Sequence, residues 1–384
     1  MLSTLALSRT RLVPHSAAVT FTRSLATASS RRFQSAHSYQ PHPADPKLSS
    51  KEGSPPAAQW KPSRPHEQWL LSSPVYTKDD VNAIDVIYLE PKSLGDKIAR
   101  GLVSFARKGF DIVTGYKHAS PQAGQAALAQ DGKGELSLDE KRKQGYVLTE
   151  AQWMSRILFL ESIAGVPGFC AAILRHLRSL RLMKRDGGWI NELLVEAENE
   201  RMHLLTFMKI GKPSRFFRLM VLGAQGVFFN FFFLGYMISP RAAHRFVAYL
   251  EEEACYTYTH AIEALDRGEI PEWSDGKKAV PTVAKDYWRL SDNATMRDLL
   301  LAVRADEAGH RFVNHTLSNL EKDDFNPVAL KHPSTNVIGT KLGFTREEGI
   351  KWLQDVEKEM KGQSTDAKAV EGGGARVGQS EVEK

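Results

Sequence analysis

Four helical stretches of this chain each place a glutamate where the pattern calls for an apolar residue, and no other feature limits the fold as much. Trp189–Met208 reads Ile190, Leu193, Ala197, Glu200, Leu204 and Phe207 at spacings of three and four, so Glu200 sits on the line that packs against a core. His203 follows it on the same face. Met296–Leu317 repeats the pattern through Met296, Leu300, Val303, Glu307, His310, Asn314 and Leu317. The stretch after Pro240 runs His244, Val247, Glu251, Ala254, Tyr258, Ala261 and Leu265. The one before Pro167 runs Met154, Ile157, Glu161 and Ala164.

Burying one unpaired carboxylate costs on the order of several kcal/mol. Four would roughly cancel the ~5–15 kcal/mol net stability of a domain. The stripes carry no Lys or Arg, so the compensating charge must be a bound cation. Chance supplies about one Glu-x-x-His pair in a chain of this composition. Here two such pairs, each on a core stripe, alternate with two single glutamates. Glu161, Glu200 with His203, Glu251, and Glu307 with His310 make four carboxylates and two imidazoles from four helices, the ligand set of ferritin-like di-iron bundles. Four negative charges neutralise two ferrous ions, and these donors suit iron or manganese. The expected cofactor is therefore two iron ions (Fe) per chain. Among three consecutive acids only Glu251 keeps phase with Val247, Ala254 and Tyr258. Glu252 and Glu253 should point elsewhere, one of them to solvent.

Strand alternation is hardly seen, so the expected class is all-α: a four-helix bundle with a di-iron carboxylate site plus membrane-surface helices. The 384 residues, 42% apolar, suffice for a large core. A net charge of +6 suits an anionic surface but does not single out nucleic acid, which is not expected as a partner. Two cysteines, Cys170 and Cys255, are too few for a disulfide scaffold or a thiolate zinc site. Walker A, GxGxxG, GxSxG and HExxH patterns are absent, and the usual signatures of nucleotide chemistry and serine hydrolysis go with them.

Residues 1–44 contain no acid and carry Arg9, Arg11, Arg23, Arg31 and Arg32 among Ser, Thr and Ala, the composition of a mitochondrial transit peptide. Residues 45–75 read as a Pro-rich flexible arm. The di-iron four-helix bundle is expected over 76–325, and 326–384 as an extension ending in a solvated tail after Lys361. Leu94–Val113 is a basic amphipathic helix of the kind that lies on a membrane. Leu219–Ile238 is nearly all apolar, long enough to span a bilayer. It falls between Glu200/His203 and Glu251, however, and a crossing there would divide the ligands between two sides. It is therefore expected to lie in one leaflet and against the bundle. Lys209, Lys212, Arg215 and Arg218, with the run Arg175, Arg178, Arg181, Lys184 and Arg185, are expected to hold anionic headgroups.

With these motifs in view, the chain resembles the mitochondrial alternative oxidases. The resemblance covers about residues 75–325. It rests on LFLESIAGVPG (Leu158–Gly168), EAENERMHLL (Glu196–Leu205), YLEEEACYTYTHAIE (Tyr249–Glu263) and RADEAGHRFVNH (Arg304–His315). It implies a cyanide-insensitive ubiquinol oxidase of the respiratory chain that reduces oxygen to water and bypasses the cytochrome pathway. It also implies a homodimer bound to the matrix face of the inner membrane without crossing it. Glu161, Glu200, His203, Glu251, Glu307 and His310 match the family's iron ligands, and Tyr258 its redox tyrosine. Arg156, Leu160, Glu253 and Thr257 match its quinol pocket. Asn199, Asp306, Trp288, Tyr287 and His244 match supporting positions. Residues 1–169 lack the regulatory cysteine of plant members, so control through that thiol is not expected, and the insert around Gly132–Gly145 resembles the fungal branch.

Two ferrous ions hold two electrons, and reduction of oxygen to water takes four. The remainder must come from quinol or an oxidisable side chain, and Tyr258, two turns from Glu251 on its stripe, is the candidate. A di-iron quinone-biosynthesis hydroxylase is the alternative within the same chemistry. Iron storage would need a cage-forming surface, against which Leu219–Ile238 argues. A membrane scaffold would not need six ligands in phase.

Overall fold

The computed structural model describes residues 75–114, 137–274 and 276–373. The expected transit peptide, nearly all of the arm, and residues 374–384 fall outside them. Among the described residues every regular element is a helix. In chain order these are α1 (Lys78–Asn82), α2 (Leu94–Thr114), α3 (Leu138–Lys143), α4 (Glu150–Leu182), α5 (Trp189–Gly211), α6 (Arg215–Ile238), α7 (Pro240–Asp266), α8 (Thr282–Trp288), α9 (Met296–Asn319), α10 (Thr335–Thr340) and α11 (Arg346–Gly373).

Local chemistry fixes the helix ends. Thr149 and Gln152 close a capping box before α4, and Thr295 and Asp298 do the same before α9. Ser239 caps α7, whose first residue is Pro240, where a missing N–H costs nothing. α4 runs through Pro167 to Leu182. Proline removes one intrahelical bond, and the packing of Gly168, Ala171 and Ala172 in the core holds the helix together past the break.

α4 packs closely on α5, and α7 on α9, whereas the two pairs touch each other only sparsely through their backbones. The space between the pairs is left to side chains, and all four stripe glutamates project into it. Close approach within a pair depends on small residues: a Cβ at Gly168 would come 2.7 Å from the carbonyl oxygen of Leu193. Buried Arg311 ties the outer segments to α9 by donating to the carbonyls of Asp85, Ile338 and Gly339.

α2 is amphipathic in an inverted sense. Its charged side turns inward: Arg100 pairs with Glu252 at 3.0 Å, Arg107 with Glu253, and Asp111 with Arg156 of α4 at 2.7 Å. Its apolar side, with Leu94, Ile98, Phe105 and Ile112, is exposed, as are Phe216, Leu222, Val227 and Leu234 of α6. Among the described residues two helices are long and apolar enough to cross a membrane, α4 and α6; in α4 50% of the apolar window is buried inside the protein and in α6 17%. The expected headgroup run is partly engaged inside the fold. Arg175 is buried, bonded to Asp186 and stacked over Trp189, and Arg178 pairs with Asp323 at 2.6 Å. α11 continues beyond Lys361 to Gly373.

Gly168→Ala should destabilise the protein by about 1–3 kcal/mol, because backbone must move to admit the methyl group. Gly226→Ala on α6, whose Cβ would meet nothing within 4 Å, should be neutral. Thermal unfolding of the two variants compares them directly.

Candidate metal centre

All six expected ligands come together in the space between the helix pairs. Glu161, Glu200, His203 and Glu307 offer ligand atoms that lie within 4.8 Å of one another, and so do Glu200, Glu251, Glu307 and His310. Glu200 and Glu307 belong to both groups, and each has two oxygens, so the arrangement is that of two adjacent sites joined by two shared carboxylates. His203 Nδ1 lies 3.2 Å from Glu307, 3.4 Å from Glu200 and 3.5 Å from Glu161. His310 Nδ1 lies 2.6 Å from Glu200.

The donor set fits a pair of cations. Both oxygens of Glu200, Oε2 of Glu161 and the Nδ1 atoms of both histidines are buried without a hydrogen-bond partner, a costly state unless something positive takes their lone pairs. Burial opposes charge on Glu200, and the two imidazoles overcome that and hold it below the usual carboxylate range. Burial and Glu200 likewise oppose charge on Glu307, and the nearness of the same imidazoles brings it down. Burial pushes Glu161 up to about 8 against the pull of His203, and burial with Glu307 and Glu200 raises Glu251 well above its ordinary value. Both imidazoles are raised well above theirs: Glu200 leads the neighbouring charges that outweigh their burial. The carboxylate field is thus strong enough to retain protons on histidine, and metal ions would displace those protons.

A second layer orients the ligands. Asp306 receives His203 Nε2 at 3.0 Å, Trp288 Nε1 at 2.7 Å, Asn199 Nδ2 at 2.9 Å and the Tyr76 hydroxyl. With its Nε2 hydrogen given to Asp306, His203 turns Nδ1 toward the cluster, where its lone pair would serve a cation once the Nδ1 proton has left. Tyr287 accepts from Asn199 at 3.0 Å. His244 reaches Asn314 at 3.0 Å, and Asn314 donates to Glu196 at 2.9 Å and to the His310 carbonyl at 3.1 Å. Tyr258 is buried on the Glu251 face and donates its hydroxyl to Glu161, whereas Tyr256 lies under the Arg107 guanidinium.

Of the four expected quinol residues, Arg156 and Glu253 meet α2. Glu253 joins Arg100, Arg107 and Asp111 around a cavity of about 250 Å³. Arg156 is buried on Asp111, Thr257 is buried, and Leu160 is half-buried. One expectation fails: neither Glu252 nor Glu253 is free in solvent. Glu252 is fully buried, accepting from the Leu89 N–H, Arg100 and His315, and the Glu253 side chain is 12% exposed. Both acids beside Glu251 are engaged because α2 covers the side of α7 that the pattern left for water. The sequence reading also missed Asp111 and Glu196. Asp111 carries a weak signal, the four-residue spacing from Arg107; Glu196 carries a better one, a full turn before Glu200 on the same line.

A family model described as alternative oxidase matches residues 76–319. The chain belongs to the alternative oxidase family. It is 52% identical over 293 residues to the mitochondrial alternative oxidase of Cryptococcus neoformans, covering 76% of this chain and 71% of that one. It is 50% identical over 287 residues to that of Emericella nidulans, covering 72% and 76%, and 46% identical over 318 residues to that of Aspergillus niger, covering 79% and 84%. Membership makes the chain an oxidoreductase of mitochondrial respiration rather than a hydroxylase of quinone biosynthesis, and the buried carboxylate–histidine cluster suits a family of iron proteins.

Asp306→Ala should leave the His203, Trp288 and Asn199 donors without an acceptor and lower metal affinity by about 10–100-fold, read as iron per chain after dialysis against a graded chelator. An unchanged affinity would mean that Asp306 does not position His203.

Proposed function

We propose that this chain is a ubiquinol oxidase of the inner mitochondrial membrane that passes the electrons of two quinols to one oxygen, giving two waters. Two iron ions would be held by Glu161, Glu200, His203, Glu251, Glu307 and His310, with Glu200 and Glu307 shared. Bound there, an iron pair would supply the redox chemistry between quinol and oxygen. The observation that carries this reading is the pair of overlapping ligand groups with an oxidisable phenol against one of their carboxylates.

Tyr258 is suited to give a proton and an electron together. Its hydroxyl hydrogen already points to Glu161 Oε1, and burial together with Glu161 holds the phenol well above its ordinary pKa, so it stays protonated until oxidised. Loss of an electron would move that proton onto the carboxylate without crossing open space.

Quinol is apolar and resides in the bilayer, so the exposed apolar sides of α2 and α6 are the proposed attachment surface, on the matrix side and without crossing. The charged side of α2 then lies between lipid and metal centre. Arg156, Leu160, Glu253 and Thr257 are proposed to receive the quinol head there, where carboxylates can take up its hydroxyl protons and guanidinium groups can donate hydrogen bonds to its oxygens. A homodimer and removal of residues 1–44 as a transit peptide complete the proposal.

Tyr258→Phe should lose most cyanide-resistant, quinol-dependent oxygen uptake while keeping its iron, since a tyrosine outside the ligand set is not needed to hold metal. Tyr256→Phe should turn over nearly as the parent. Normal turnover of Tyr258→Phe would reduce it to a packing residue, and loss of iron with activity would make its role structural.

A further inference from the structure

The carboxylates of α5 continue outward from the metal centre. Glu192, Glu196 and Glu200 recur every fourth residue, placing them on one face with ~6 Å of helix rise between neighbours. All three are buried. Charges of His310, Glu200 and Glu192 all reach Glu196, which therefore stands between the centre and Glu192. At the outer end Glu192 meets His332, whose Nε2 lies 3.1 Å from Oε1 and 3.2 Å from Oε2. His332 belongs to the segment after α9, beyond the residues that match the family model. Exposure rises along the file, from 1% at Glu200 and 6% at Glu196 to 8% at Glu192, and to 34% for the His332 side chain. At the inner end, Glu200 has no hydrogen-bond partner for either oxygen, and His310 beside it is the most exposed of the six ligands.

We propose that His332, Glu192 and Glu196 form the route by which ferrous ions enter the centre from the aqueous side, an inference that rests on the metal-centre reading above. A dication cannot cross a low-dielectric interior unaccompanied, since shedding water there is too costly. A file of carboxylate oxygens one turn apart replaces that water in steps, and its negative potential draws cations inward. None of the three residues belongs to the six-ligand set, so they carry the ion without retaining it.

The test is the rate of metal loading. Full-length protein is stripped of metal with a chelator, then mixed anaerobically with ferrous ion. Iron per chain is followed in time and again after long incubation. Glu196→Gln keeps the acceptor for Asn314 and removes the charge; Glu192→Gln does the same at the mouth. Each should load at least about tenfold more slowly, as expected for losing one charge ~6 Å from a dication, and reach the parent's final iron content. Glu198→Gln, in a residue paired with Arg201 off this file, should load at the parent rate. Parent-rate loading by both file variants would overturn the route. A lower final content would also overturn it, making these residues part of the holding site. Parent-rate loading with slowed turnover would assign the file to protons instead. Failure of the parent protein to load any iron would instead refute the metal-centre reading on which the route rests.

Discussion

Glu200 and Glu307 face one another in an interior that also receives Glu161 and Glu251, with no Lys or Arg among them. In an apolar environment the repulsion of such groups opposes folding. The protein tolerates it because each carboxylate is fixed by its helix and because two imidazoles and the space between them admit positive charge. The arrangement of α4, α5, α7 and α9 follows from that requirement. Helices pack tightly within each pair and leave between the pairs a layer thick enough for ligands and ions.

The proposed function at a membrane adds a second constraint. A bundle that receives an apolar substrate must expose apolar surface without losing its charged groups to water. α2 meets it by turning Arg100, Arg107 and Asp111 onto α7 and α4 while Phe105 and Ile112 face outward. Glu252, Glu253 and Arg156 thereby become buried partners of one helix. Charge is thus concentrated between the exposed apolar face and the metal ligands, where quinol protons would have to be handled.

The ligand set and the all-helical class were legible in the sequence because helical periodicity is strict: a glutamate in phase with Val247 and Tyr258 can only face inward. What was not legible depended on contacts between distant segments. One of Glu252 and Glu253 looked solvent-facing because nothing in the Tyr249–Glu263 string announces that α2 will cover this side. Arg175 looked like one member of a basic run, and its burial depends on Asp186 and Trp189 closing around it. Glu196 and Asn314 stood in or beside the stripes, but their pairing needed α5 and α9 to be placed side by side.

The central claim is that Glu200 and Glu307 join two adjacent metal sites. Iron content combined with low-temperature Mössbauer spectroscopy of the protein loaded with iron-57 tests it most directly. The account predicts two irons per chain and, in the oxidised protein, a spin-coupled pair with no net magnetism at low temperature. One iron per chain, or two that behave as isolated high-spin ions, would contradict it.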